Sequence, residues 1–221
     1  MVGPVVDETD LAIVSAALEA QPASSAVAWA RGRFGAGLVL AASFQDCVLL
    51  DIVTGVFPGI EVIFLDTGAH FPETLEYVEL ARGHYNLNLT VLQPSEEAAA
   101  WPCGSSRCCE LRKVRPLNAH LANRQAWITG LRRVETPQRA HAPIIGWDQA
   151  RGLAKINPLA SWSDQDMASY VCQHDLPVHP LTAAGYLSIG CAPTTKPVVE
   201  GQDQRAGRWA GSGKTECGLH I

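Results

Sequence analysis

Short apolar runs alternate with amphipathic stretches along most of the chain. Gly37–Ala42, Glu61–Leu65, Leu89–Leu92 and Ala126–Gly130 have strand length and are bounded by turn residues. Between them, Cys47–Val56 and the stretch opening at Pro72 carry apolar residues at helical spacing, with the proline in a first-turn position. Leu111, Val114, Leu117 and Leu121 continue that period in a third helix, which opens at Cys108-Cys109. Strands alternating with helices predict an α/β fold, a mostly parallel sheet flanked by helices. Upstream, Asp10–Ala20 and Ser24–Phe34 read as two helices broken at Gln21-Pro22, so residues 1–36 form a helical N-terminal segment. Glu96–Ala100 reads as a helical turn and Trp101–Ser105 as a loop. Glu135–Gln149, polar and proline-containing, predicts a loop or short hairpin, and Lys155–Leu159 a further extended piece. Ser163 caps a helix through Asp175, with Asp166 in the capping-box position. From Pro177 onward glycine and proline dominate. The expected organisation is one domain over 1–190, with 191–221 as a mobile tail belonging to it.

Charge narrows the function classes. The 221 residues carry 17 basic and 22 acidic side chains, a net −5 that argues against general nucleic-acid binding but leaves a small anionic ligand open. No apolar run reaches membrane-spanning length, and Met1–Asp10 is acidic, so neither a membrane span nor a leader peptide is expected. Seven cysteines, an odd number, point to metal or redox chemistry in the cytoplasm rather than to a disulfide framework.

Polar residues collect where parallel strands end. Ser43-Phe44-Gln45-Asp46 follows the first strand, Asp66-Thr67-Gly68 the second and Leu131-Arg132-Arg133 the fourth. Open α/β sheets bind ligands at such carboxyl ends, although each segment would serve equally as a helix cap or turn. Arg107, Arg112, Lys113 and Arg115 surround Cys108-Cys109, and cations at a helix N-terminus favour the thiolate. Adjacent cysteines bridge each other only with strain, but two neighbouring thiolates can ligate different irons of one cluster. By itself the pair is equally compatible with two buried thiols on an apolar helix face. Cys47 and Cys172 read as packing residues. Cys217 lies close to the terminus, downstream of Lys196, Arg205, Arg208 and Lys214, and a thiol on such a segment favours a reactive role. Gly213-Lys214-Thr215 imitates the end of a Walker A loop, but Arg208 stands where its first glycine belongs, and that reading is rejected.

Taken in order, these segments resemble the sulfonucleotide reductases, the thioredoxin-dependent adenylyl-sulfate and phosphoadenylyl-sulfate reductases of sulfate assimilation. The resemblance is carried by Ala42–Gln45, Phe64–Gly68 with Phe71–Thr74, and Cys108-Cys109 with Arg112-Lys113. It continues through Trp127–Arg133, Lys155–Leu159, Ser188–Cys191, Gly207–Trp209 and the terminal Glu216–His220, covering the chain from about residue 40 to its end. It implies a nucleotide-binding fold related to ATP pyrophosphatases, and thiol-dependent reduction of adenylyl-sulfate to sulfite and AMP. Cys217 would be the nucleophile and form an S-sulfonate, which thioredoxin or a glutaredoxin would resolve. By family position, Lys113, Arg205, Arg208 and His220 would surround the phosphosulfate, Ser43, Phe44 and Leu65-Asp66-Thr67-Gly68 would hold the nucleotide, and Arg132 would join the substrate-binding residues. The tail would close over the substrate and reopen for the reductant. Oligomeric state is left open. An ATP-consuming adenylate-forming enzyme is disfavoured, because Ser43–Asp46 lacks a glycine-rich phosphate loop and Cys217 would have no role. A non-catalytic nucleotide or iron–sulfur binding homologue would have no need of Cys217, Arg205 and Arg208.

One departure stands out. Relatives that prefer adenylyl-sulfate resemble one another in holding a [4Fe–4S] cluster with a Cys-Cys pair and a Cys-x-x-Cys. Here Cys108, Cys109 and Cys191 are present, but the fourth position is Thr194, a poor ligand for iron. Three readings stay open: a cluster on three cysteines, a substitute ligand such as Cys103 or Cys172, or a metal-free site that would fit the 3′-phosphorylated substrate.

Overall fold

The computed structural model describes residues 7–199, 201–212 and 214–220; Gly213 of the rejected phosphate-loop motif and Met1–Val6 lie outside them. Six strands form one sheet in the order β3-β2-β1-β4-β6-β5. The strands are β1 (Leu38–Ala42), β2 (Glu61–Leu65), β3 (Asn88–Leu92), β4 (Ala126–Thr129), β5 (Ile145–Asp148) and β6 (Leu153–Ile156). All pairings are parallel except that of β5 with β6, which is the hairpin expected within Glu135–Gln149 carried a few residues further. The polar composition of that stretch hides its strand, because β5 is an edge strand with one half-covered face.

Helices cover the two faces unequally. Leu38, Leu40, Val62, Phe64, Ala126 and Ile128 point to the thick side, under α2 (Ala23–Phe34), α3 (Val48–Val56) and α4 (Pro72–Tyr85). The residues between them, Val39, Ile63 and Trp127, point to the other side. There they meet Leu117 and Leu121 of α6 (Arg115–Leu121) and Leu153 of β6, and the tail residue Leu219 packs against the same cluster. The period of two along each strand therefore sorts the core into two layers. α1 (Glu8–Leu18) is capped by Asp7 and packs on β5, and α7 (Asp164–Gln173) carries the expected capping box between Ser163 and Asp166.

The cysteine helix is not uniform. Ser105 caps α5 (Ser106–Cys109), accepting from the Cys108 N–H at 3.1 Å. Glu110–Val114 then forms a π turn, in which the Arg115 N–H reaches the Glu110 carbonyl, before α6 resumes. Pro116 explains the widening: it has no N–H to offer the carbonyl one turn back, so the chain relaxes to a looser turn before it.

Candidate active site

The chain changes direction across the sheet between β1 and β4, the switch point at which open α/β sheets leave a crevice. A cavity opens there. Its walls include Ser43, Phe44 and Gln45 after β1, Leu65 at the end of β2, and Gly130 and Arg132 after β4. Phe44 adopts φ +55°, unusual for a non-glycine residue, and its buried ring meets Phe64 edge-on at 5.3 Å. Gln45 accepts from the Ile189 N–H at 3.0 Å, which ties the turn after β1 to the start of the tail region. Asp46 accepts from the Val48 N–H at 3.0 Å, and burial raises its carboxyl above the ordinary aspartate range.

The same cavity is lined by Lys113, Arg139, Arg205, Arg208, Cys217 and His220. Arg208 lies across Gly190: a Cβ there would fall 2.2 Å from its Nη2, so only glycine leaves room for the guanidinium. Arg208 Nη1 donates to Ser188 Oγ and to the Ile189 carbonyl, both at 3.2 Å, while its buried Nε has no partner. Arg205, Arg208 and Lys214 all stand over the Trp209 ring, at 5.9, 4.6 and 5.4 Å from its centroid. A cavity with this wall suits a polyanion. Arg132, by contrast, is engaged by Asp164 at 2.8 Å.

The tail is docked. Glu216 is buried, accepting from Thr136 Oγ1 at 2.8 Å and from Arg139 Nε and Nη2 at 2.6 and 2.7 Å. Burial raises its carboxyl, and the Arg139 guanidinium and Thr136 hydroxyl outweigh that, leaving it below the usual carboxylate range. His220 stacks on Trp127 at 5.9 Å and 14°, and its buried Nδ1 has no partner. Arg139 and Glu135, which lines the cavity beside it, escape the sequence reading because they sit in a stretch whose polarity reads as loop. The signal that could have found Arg139 is its partner, since Glu216 lies inside the terminal motif.

A second, smaller cavity adjoins the first and shares Lys113, Arg208 and Trp209 with it. Cys103, Cys108, Cys109, Cys191 and Thr194 line it. Thr67 is buried and lines neither cavity; its Oγ1 lies 3.5 Å from Cys191 Sγ. Asp66 accepts from the Gly68 N–H at 2.9 Å, and neither Asp66 nor Gly68 lines either cavity. Arg112 fastens α5 to this strand end by donating to the Thr67 carbonyl, and to Ala98 at 3.0 Å. Lys214 Nζ reaches Cys109 Sγ at 3.0 Å and the Gly104 carbonyl at 3.1 Å. The Cys191 thiol is shifted down, first by its interaction with Cys103 and then, against its burial, by Lys113 and Thr67. Cys172 is exposed on α7 and Cys47 is buried at the N-terminus of α3, both away from this cavity. Among the described residues no three His, Cys, Asp or Glu side chains converge on a point that would hold one metal ion. Cys103, Cys108, Cys109 and Cys191 together give this cavity a soft donor set, of the chemistry that an iron–sulfur cluster would require.

Residues 37–197 match the model of the phosphoadenosine phosphosulfate reductase domain. The chain belongs to this family. Adenosine 5′-phosphosulfate reductases of Rhodococcus opacus and Streptomyces coelicolor are each 44% identical to it, over 94% and 92% of this chain and 92% and 90% of theirs. Among solved structures, phosphoadenylyl-sulfate reductase from Candida auris superimposes with a TM-score of 0.76 at 25% identity, covering 88% of this chain and all of that one. Candida glabrata FMN adenylyltransferase, at 15% identity and a TM-score of 0.63, shares the fold alone, covering 88% of this chain and 68% of its own. The expected α/β fold, a mostly parallel sheet flanked by helices, is thereby shown. No helix of the described residues is long and apolar enough to cross a membrane.

Proposed function

We propose that the chain reduces adenylyl-sulfate to sulfite and AMP with electrons from a dithiol protein of the thioredoxin or glutaredoxin class. The observation that carries this is the single cavity holding the Cys217 thiol, the turns after β1 and β4, and the cations Lys113, Arg139, Arg205 and Arg208. Relatives named for this reaction match nearly the whole chain. The nucleotide lies over Ser43, Phe44 and Leu65. The phosphosulfate faces Lys113, Arg205, Arg208 and His220, while Arg132 braces the turn after β4 against α7. Cys217 as thiolate attacks the sulfate sulfur; the new S–S bond replaces the S–O bond to the nucleotide phosphate, and AMP leaves. A thiolate of the reductant then attacks Cys217 Sγ and sulfite departs. The second thiol of the reductant closes its own disulfide and Cys217 is restored, two electrons having passed to sulfur.

A [4Fe–4S] cluster belongs in the smaller cavity, with Cys108, Cys109 and Cys191 as ligands. The donor set is soft, and Lys113 and Lys214 offset its negative charge. When bound it supplies a fixed charge beside Lys113, on the wall shared with the substrate. Seven free cysteines support a reducing compartment, the cytoplasm. The test is sulfite release from adenylyl-sulfate with thioredoxin, run beside the 3′-phosphorylated nucleotide. Cys217→Ser should abolish release, and the native protein without reductant should gain the mass of one SO3 group at Cys217. Turnover by the serine variant would refute the mechanism, and preference for the phosphorylated substrate would correct the assignment.

A further inference from the structure

Position 194 carries a hydroxyl where the rest of the ligand set supplies sulfur, and the geometry shows that this hydroxyl is committed elsewhere. Thr194 Oγ1 donates to the Cys191 carbonyl at 3.3 Å, closing the turn that Cys191 opens. The group it presents across the cavity is its methyl. That methyl faces the Cys103-Gly104 loop closely: a Cβ built on Gly104 would come within 2.8 Å of Thr194 Cγ2. Gly104 has φ +97°, a conformation that side-chain-bearing residues rarely adopt, and the turn it makes brings Cys103 onto the cavity wall beside position 194. Cys103 is half-buried and shares that wall with Cys108, Cys109 and Cys191.

We propose that Cys103 is the fourth ligand of the iron–sulfur cluster, its sulfur taking the corner that Thr194 leaves empty. This rests on the reading that the smaller cavity holds such a cluster. The chemistry needs nothing beyond ligation: the Cys103 thiol gives its proton to solvent, its sulfur donates a lone pair to iron, and no oxidation state changes. A thiolate is the soft, anionic donor that iron in a sulfide cluster prefers, whereas a threonine hydroxyl is neutral and hard. The loop is also held for the task. Lys214 bridges the Gly104 carbonyl and Cys109 Sγ, so the segment carrying Cys103 is tied to the helix carrying the cysteine pair. The set would then read Cys103, Cys108, Cys109 and Cys191, with three ligands drawn from one short stretch before α6.

The experiment is iron and acid-labile sulfide analysis, with visible and Mössbauer spectra, on full-length protein purified and reconstituted without oxygen. The native chain should hold about four irons. Cys103→Ser should fall to about three or fewer and lose the four-iron spectrum, while Cys172→Ser should match the native protein. Because a serine in that loop could disturb folding, the decisive variant is Cys103→Ser combined with Thr194→Cys, which should regain about four irons. Circular dichroism of each variant serves as the folding control. Native iron content and spectrum in Cys103→Ser would overturn the ligand assignment while leaving the cluster in place. Failure of a well-folded double variant to regain iron would overturn it too. A native protein that takes up no iron would overturn the ligand together with the cluster, yet sulfite release would remain free to show that the reductase reading holds.

Discussion

At the scale of single residues, Glu216 decides where Cys217 stands. Its carboxylate is the tail's anion against Arg139 among the described residues, and the two side chains are buried together with Thr136. A buried ion pair adds little compared with an apolar pair of the same shape, but removing one partner strands the other. Glu216→Gln keeps the shape and removes the charge, leaving Arg139 with Glu135 as its remaining carboxylate. The expected cost to tail docking is about 2 kcal/mol, or roughly 30-fold in the docked population. Thermal stability of the domain should barely move, since the sheet and its helices do not depend on this contact. Limited proteolysis of the tail and kcat/KM measured side by side would check this. Unchanged tail protection would show that Leu219 and His220 hold the tail without Glu216.

At the scale of elements, the segment from Ser188 to Cys191 serves both cavities: it cradles Arg208 on one side and ends in a thiol on the other. Gly190→Ala must push the Arg208 guanidinium off its two acceptors, because the added methyl would overlap it. Losing a charged contact of this kind costs about 1.5–3 kcal/mol, so KM for the nucleotide should rise roughly 10- to 100-fold with little change in melting temperature. An unchanged KM would mean that Arg208 does not face the phosphosulfate. Such elements also show which parts were legible in the sequence. The parallel strands were, because a strand buried on both faces reads as a continuous apolar run. The capping box of α7 was, because its two residues lie three apart. The π turn was not, although Pro116 forces it, because apolar spacing does not register one extra residue in a turn. β5 and Arg139 were hidden by the polarity of an edge strand and its approach. The gathering of Cys103 with Cys191 was illegible, since contacts between residues far apart in sequence leave no periodicity.

At the scale of the whole molecule, the sheet is finished by the tail. On the thin side of the core, Leu117 and Leu121 of α6 pack with Val39, Ile63 and Trp127, and the tail adds Leu219 to that cluster and His220 against Trp127. Docking therefore draws on apolar contact with the same layer, and Cys217 is held beside the cations between the buried Glu216 and the partly buried Leu219 and His220. The docking should depend on pH through His220. Burial holds its imidazole well below the ordinary range, and Lys155, Arg139, Arg151 and Arg205 push it the same way. Lys155 is itself lowered to about 8, chiefly by burial, so it carries its charge through the mildly acidic range. A histidine depressed in the docked state contributes its full share above its free value of about 6.5, and loses it as pH falls below that, because only the undocked ring takes up the proton. Glu216, also depressed, keeps its contribution above the free glutamate value of about 4.3 and loses it only further into acid. Tail protection against proteolysis should thus be flat from about pH 8 to 6.5 and fall up to tenfold per unit below that. It should drop again near pH 4. In His220→Phe the first step should vanish while the second stays. If the variant kept the first step, the pH response would belong to another group, and the stacking on Trp127 would be a packing contact alone.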